Sequence, residues 1–246
     1  MENRALTRIR KGETAFGFSL GLGSPLVAEI AANAGFDWIW IDAQHGTFYG
    51  QELLGTLQVM LHTPTSPLVR PGSNDFYRIG WVLDAGAHGV VVPMVNTPED
   101  AQAAVCAATY PPGGGRSGGG PRLTLFGEDY RETANDEIIV AVQIETPEAV
   151  EAAHEIAAVD GVDCLFIGPS DLRFFMQVEA GSTEHEAAIS RVLEAAENAG
   201  KFAGYPCGQV AEALQRSEQG FRLVTCASDG STLNAGIANV LSAIGR

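Results

Sequence analysis

Short apolar runs alternate with segments of helical periodicity from one end of the chain to the other, which predicts a parallel sheet joined by helical crossovers. Eight runs have strand length: Ala15–Gly23, Trp38–Gln44, Ser66–Arg70, Gly89–Val95, Ile138–Glu145, Cys164–Gly168, Lys201–Cys207 and Phe221–Ala227. Their β-branched and aromatic content favours strand over helix. The segments between them carry helix punctuation. Ser24-Pro25, Thr97-Pro98 and Thr146-Pro147 each set a capping residue before an N1 proline, and Gly35, Gly86, Gly200 and Gly220 fall where helices should stop. Eight β-then-α units with short connections and no break in composition predict one closed (β/α)8 TIM barrel over residues 1–246. A doubly wound open sheet is the alternative.

One connection is long. Tyr110 to Arg122 reads YPPGGGRSGGGPR and precedes a short acidic helix expected around Glu128 to Asn135. Its glycines fit a flexible segment, mobile or intersubunit. It lacks the Gly-Lys-Ser/Thr ending of a phosphate-binding loop and the strand directly before one.

Composition narrows the function classes. Of 246 residues 46% are hydrophobic and 18% charged, enough apolar surface for a sizeable core. Fifteen Lys and Arg stand against thirty Asp and Glu, a net charge of -15, with no basic stretch to track a phosphate backbone. Nucleic acid and anionic membrane are therefore not expected partners. No apolar run approaches the roughly 20 residues that span a bilayer. The first twelve residues are charged with no apolar segment following, so a cytoplasmic protein is expected. Cys106, Cys164, Cys207 and Cys226 form no C-x-x-C pair and read as reduced core thiols.

In a barrel of this kind chemistry sits at the carboxyl ends of the strands, so the residues closing each strand are the test. The second strand runs into Asp42-Ala43-Gln44-His45, the third into Arg70-Pro71, the fifth into Gln143-Ile144-Glu145, and the sixth into Gly168-Pro169-Ser170-Asp171. Four strands thus deliver acids, an arginine, an amide and a histidine to one rim, a convergent polar site in a cup. Glu145 and Asp171 close adjacent strands and would supply two oxygen ligands to Mg²⁺ or Mn²⁺, leaving positions for water and substrate. Zinc would recruit histidine or cysteine, and only His45 is on the rim. The competing reading is an ion pair of either acid with Arg70. His45 follows Asp42 by three residues, a spacing at which the acid would orient the imidazole and raise its basicity. His62, His88, His154 and His185 fit ordinary polar surface positions. Asp84, in LDAGAHG, reads from the residues alone as a solvated helix-end acid. No G-x-S-x-G elbow is present and no strand-end cysteine has a nearby histidine, so covalent hydrolase chemistry has little support. Gly21-Leu22-Gly23 begins as G-x-G but lacks the third glycine of a nucleotide fingerprint.

The spaced motifs GFDWIWIDAQHG, LVRP, LDAGAHGVVVPMV, YPPGGGRSGGG, VQIET and GVDCLFIGPSDL, in that order between about Phe16 and Asp229, resemble the HpcH/HpaI aldolases, class II metal-dependent pyruvate aldolases on a phosphoenolpyruvate/pyruvate-type barrel. The resemblance implies that Glu145 and Asp171 hold a divalent ion (Mg²⁺, Mn²⁺ or Co²⁺), that His45 is the base with Asp42 beside it, and that Asp84 tunes that histidine. Arg70 would stabilise the transition state. Gln143 and the turn Gly168, Pro169, Ser170 and Asp171 would contact substrate. The family's usual D-x-E-H reads here D-A-Gln44-H, and Leu172-Arg173-Phe174-Phe175 is bulkier than usual.

The implied reaction is reversible cleavage of a 4-hydroxy-2-oxo acid to pyruvate, or a related 2-oxo acid, and an aldehyde through a metal-stabilised enolate. Schiff-base catalysis needs a lysine in the barrel, and the chain has only Lys11, before the first strand, and Lys201, opening the seventh, both on the amino-terminal side. Alternatives are an oxaloacetate or β-keto acid decarboxylase using the same site, and a barrel that binds a 2-oxo acid without turnover. The resemblance also implies a homo-oligomer, a hexamer or trimer of dimers, in which the apolar segment Thr232 to Ile244 packs on a neighbour.

Overall fold

The structure, a computed structural model, describes residues 2–246. All eight expected strands form: β1 Ala15–Leu20, β2 Trp38–Asp42, β3 Ser66–Arg70, β4 Gly89–Val92, β5 Ile139–Ile144, β6 Cys164–Ile167, β7 Phe202–Pro206 and β8 Leu223–Ser228. Each pairs in parallel with the next, and β8 pairs with β1, closing the barrel. The open-sheet alternative is therefore excluded. The helices are α1 Arg4–Arg10, α2 Pro25–Ala32, α3 Gly50–Met60, α4 Phe76–Asp84, α5 Pro98–Ala108, α6 Tyr130–Glu137, α7 Pro147–Glu151, α8 Ala153–Ala157, α9 Pro169–Met176, α10 Thr183–Asn198, α11 Val210–Gln219 and α12 Asp229–Ala243.

Several strands end before their apolar runs do, because the chain turns outward at the carboxyl rim. β2 stops where the Asp42 carboxylate accepts the backbone N–H groups of Gln44 and His45, and beyond β4 Met94 adopts a positive φ of 54°. The helix punctuation acts as expected. Ser24, Thr97 and Thr146 each accept a first-turn N–H ahead of the N1 proline, a device that contributes about 1 kcal/mol per helix.

The barrel interior is filled from below. Trp38, Trp40, Leu68, Val91, Ile139, Ala141, Cys164, Phe166 and Leu223 pack inside it, and α1 plugs the amino-terminal mouth with Ala5 and Leu6. Phe166 meets both tryptophans edge-on at 6.3 and 5.1 Å. This aromatic layer is the floor of the upper cup, and the Arg70 guanidinium lies over the Trp40 ring at 4.8 Å. A second apolar layer, with Leu20, Ile41, Val92 and Ile167 among its strand residues, joins the outer strand faces to the helices.

Four expectations are corrected. The glycine-rich connection is a folded segment. Arg116 at its centre is only 3% exposed, lies over the Tyr110 and Tyr130 rings at 4.6 and 5.8 Å, and donates to Asp84 at 2.8 Å. Backbone bonds from Gly114, Gly115 and Arg116 to Tyr110, Cys106 and Thr109 fix the turn, so glycine here permits tight backbone approach. The acidic helix after it forms as α6, two residues later than expected. His185 is buried, accepting from the Gly181 N–H while its Nε2–H donates to the Pro169 carbonyl. His88, also read as a surface residue, is pushed down to about 4 by burial and sits 3.3 Å from the Ser66 hydroxyl.

Among the described residues no helix is long and apolar enough to cross a membrane. The four cysteines are free, with Cys164 and Cys207 buried and Cys106 and Cys226 partly so.

Candidate active site

The parallel register between β2 and β3 sets Asp42 beside Arg70, and β5 and β6 run side by side to deliver Glu145 and the Gly168–Asp171 turn. Arg70 is 7% exposed and makes a two-pronged pair with Asp42, Nε to Oδ1 at 3.0 Å and Nη2 to Oδ2 at 2.6 Å. Burial alone would raise the Asp42 carboxyl. The Arg70 hydrogen bonds and charge, helped by the Gln44 and His45 N–H groups, outweigh it and hold the group below its usual value.

The remaining prong of Arg70 reaches Gln143 Oε1 at 3.5 Å, and Gln143 Nε2 donates to Glu145 Oε2 at 2.7 Å. Glu145 is 1% exposed, and its Oε1 accepts the Met94 backbone N–H at 2.8 Å. One chain of hydrogen bonds thus crosses the cup from β2 to β5, and every side chain in it is oriented by a neighbour. Asp171, half-buried in the first turn of α9, is close enough to Glu145 to share a hydrogen bond. Burial pushes Glu145 up to about 7 against the pull of the Met94 N–H and of Arg70, and the neighbouring Asp171 adds to the push. The expected alternative, either acid paired with Arg70, does not occur: that guanidinium is committed to Asp42.

Gly168 makes room for this arrangement. A Cβ there would lie 2.5 Å from Glu145 Cβ, 2.6 Å from Glu145 Oε2 and 2.7 Å from Gln143 Nε2. The start of α9 has no side-chain cap, so the first-turn N–H groups at Ser170 and Asp171 face the rim. Two adjacent carboxylates with like charge, one of them deeply buried, beside helix N–H groups and an arginine, are a fitting donor set for a hard divalent cation. Among the described residues no third His, Cys, Asp or Glu joins them, so an ion held there keeps open positions.

Two of the expected residues are placed differently from what their sequence positions suggest. His45 is exposed, and the Asp42 carboxylate that was to orient its ring instead accepts its backbone N–H, because Arg70 occupies the outer faces of both oxygens. Asp42 therefore shapes the turn that carries His45. Asp84 lies at the far end of α4, where the chain descends to the amino-terminal face, and its partner is Arg116. Within one chain it is not brought to His45. Conversely, the Met94 N–H and the Asp229 carboxylate, which accepts the Gly21 and Leu22 N–H groups, escaped notice. Asp229 was open to detection by the strand-end rule, since it directly follows β8. In the G-x-G start it is Gly23 that must be glycine, with a φ of 68° and a Cβ position 2.4 Å from the Thr47 hydroxyl.

Residues 16–235 match the family model described as HpcH/HpaI aldolase/citrate lyase. The chain belongs to this family. A hydroxypyruvate/pyruvate aldolase of Paraburkholderia phytofirmans is 36% identical over 239 residues, 92% of each chain. A 4-hydroxy-2-oxo-heptane-1,7-dioate aldolase of Shigella sonnei is 38% identical over 250 residues, covering 99% of this chain and 95% of its own. The crystal structure of an HpcH/HpaI aldolase/citrate lyase family protein from Burkholderia cenocepacia superposes with a TM-score of 0.92 at 35% identity, covering 99% of this chain and all of that one. HpcH/HpaI membership makes the protein an enzyme of the aldolase type, a carbon–carbon lyase.

Proposed function

We propose that the rim cleaves 4-hydroxy-2-oxo acids reversibly to pyruvate, or a related 2-oxo acid, and an aldehyde, with a divalent ion held by Glu145 and Asp171. The observation that carries this reading is the pair of adjacent carboxylates set over the Arg70–Gln143 hydrogen-bond chain. The names of the two curated relatives support it. The ion, Mg²⁺, Mn²⁺ or Co²⁺, supplies Lewis-acid polarisation of the 2-oxo group.

The chain's own residues do the rest. The open N–H groups of Ser170 and Asp171, at the α9 terminus after Gly168 and Pro169, receive the substrate carboxylate. Arg70, held flat on Trp40 and aligned by Asp42, presents its Nη1 edge with Gln143 to the C2 oxygen, where negative charge grows. His45 takes the proton from the 4-hydroxyl, which becomes the aldehyde carbonyl as the C3–C4 bond breaks. The bond's electrons pass to the C2 oxygen as the pyruvate enolate, and a proton returned to C3 completes pyruvate. Lys11 caps α1 and Lys201 precedes β7, both at the amino-terminal face, which favours this class over Schiff-base chemistry.

Release of pyruvate from a 4-hydroxy-2-oxo acid, abolished by EDTA and restored by Mg²⁺, Mn²⁺ or Co²⁺, is the expected result. Full turnover after exhaustive chelation, a borohydride-trapped adduct, or faster decarboxylation of oxaloacetate would overturn the reading.

The partner we propose is a second copy of the chain. From residue 231 to 246 every residue is exposed, and Leu233, Ile237, Val240, Leu241 and Ile244 form one apolar stripe along α12 and its end. Sedimentation should give an oligomer, a hexamer or trimer of dimers, that truncation after residue 231 dissociates.

A further inference from the structure

We infer that Asp229 is a positioning residue for His45. The inference rests on the aldolase reading only in giving His45 its proton-transfer role; the contacts themselves are independent of it.

The His45 ring lies at the surface, and its place is set by the backbone of the turn between β2 and α3. On one side Asp42 Oδ1 accepts the Gln44 and His45 N–H groups at 3.0 and 3.1 Å. On the other side Thr47 donates both its backbone N–H, at 2.9 Å, and its hydroxyl, at 3.2 Å, to the Gly21 carbonyl. Gly46 between them has no space for a side chain, because a Cβ would collide with the Asp42 carbonyl and press on Gly21. The turn is therefore pinned at two points, and the second is only as firm as Gly21.

Gly21 is in turn held by Asp229. That carboxylate is buried, accepts Gly21 N–H at 3.0 Å and Leu22 N–H at 2.9 Å, and also takes the Gly230 N–H at 2.7 Å. A carboxylate receiving three backbone donors is a strong, directional clamp. One residue after β8 thus fixes the connection after β1, which fixes the turn after β2. A base that is displaced by about 1 Å loses on the order of 10²-fold in rate.

The test uses the full-length, Mg²⁺-loaded enzyme and four variants: Asp229→Ala, Asp229→Asn, His45→Ala and the double variant Asp229→Ala/His45→Ala. Asp229→Ala should lower kcat for retro-aldol turnover by about 10²-fold with KM changed far less. Asp229→Asn should recover part of the loss, since its amide oxygen still accepts a backbone N–H. In the His45→Ala background Asp229→Ala should cost nothing further. The imidazole carbon resonance of His45, assigned by its disappearance in His45→Ala, should shift or broaden in Asp229→Ala while those of His88 and His185 stay in place. Should Asp229→Ala not fold, Thr47→Val removes one bond to Gly21 and should produce the same signature, several-fold in kcat. Equal losses with and without His45, or an unmoved His45 resonance, would overturn the inference. If the wild-type enzyme shows no aldol turnover, the functional reading fails while the resonance still decides the positioning claim.

Discussion

The two mouths of the barrel handle buried acids in opposite ways. At the amino-terminal face acids meet cations: Asp37 receives Arg4 Nε at 3.1 Å, Arg8 Nε at 3.8 Å and the Phe16 N–H at 3.0 Å, and the partly buried Glu137 receives Arg10 Nη1 at 2.9 Å. At the carboxyl-terminal face Glu145 and Asp171 face each other, and the guanidinium beside them, Arg70, is already bound to Asp42. Polar groups that satisfy one another hold a fold together. Polar groups left to converge without a partner of opposite charge keep binding capacity for something else.

The two mouths should respond in opposite ways when an acid at each is neutralised. Glu145→Gln and Asp171→Asn should each lower kcat/KM by about 10²–10³-fold, while the melting temperature in EDTA holds or rises because a like-charge contact is gone. A large loss of metal-free stability would place these acids with those of the lower mouth. Next in size, Arg70→Lys loses the two-pronged grip on Asp42 and should cost about 10–10²-fold in kcat, measured by pyruvate release. Asp37→Asn should do the reverse, with turnover per folded molecule intact and unfolding free energy lower by about 1–3 kcal/mol in urea titration.

The smallest effect concerns pH. Burial pushes Asp163 up to about 6, against the Val140 N–H and the charges of Lys201 and Arg10. An unfolded aspartate titrates near about 3.9, so between roughly pH 4 and 6 the folded chain holds a proton that the unfolded chain has released. Below that window the two states are equally protonated. Stability contributed at this site therefore falls as pH rises through it and is level above. Asp163→Asn, which still accepts the Val140 N–H, should raise stability at pH 8 by about 1–2 kcal/mol and leave it unchanged near pH 3.5. A gain at acid pH would contradict that sign.

The barrel was legible because its strands are almost wholly apolar and its helices open on Ser-Pro or Thr-Pro, signals that are local in the chain. The rim residues were legible for the same reason, each directly following a strand. Pairing across strands was not. The Asp42–His45 spacing suggested a side-chain contact, but the backbone N–H groups of a tight turn and an arginine twenty-eight residues on claimed the carboxylate first. Asp84 sits in a motif beside β4, yet the length of α4 had already carried the chain to the opposite mouth. Arg116 looked like one charge in a flexible glycine run, and nothing local announced the two tyrosines that enclose it.

Gly168 supplies no functional group, yet its missing methyl is what lets Gln143 and Glu145 stand where they do. A one-base change to alanine alters neither polarity nor charge and would pass most measures of conservative replacement. It would nevertheless wedge the acid from its seat, so the least reactive residue of the cup is among those that mutation can least afford to touch.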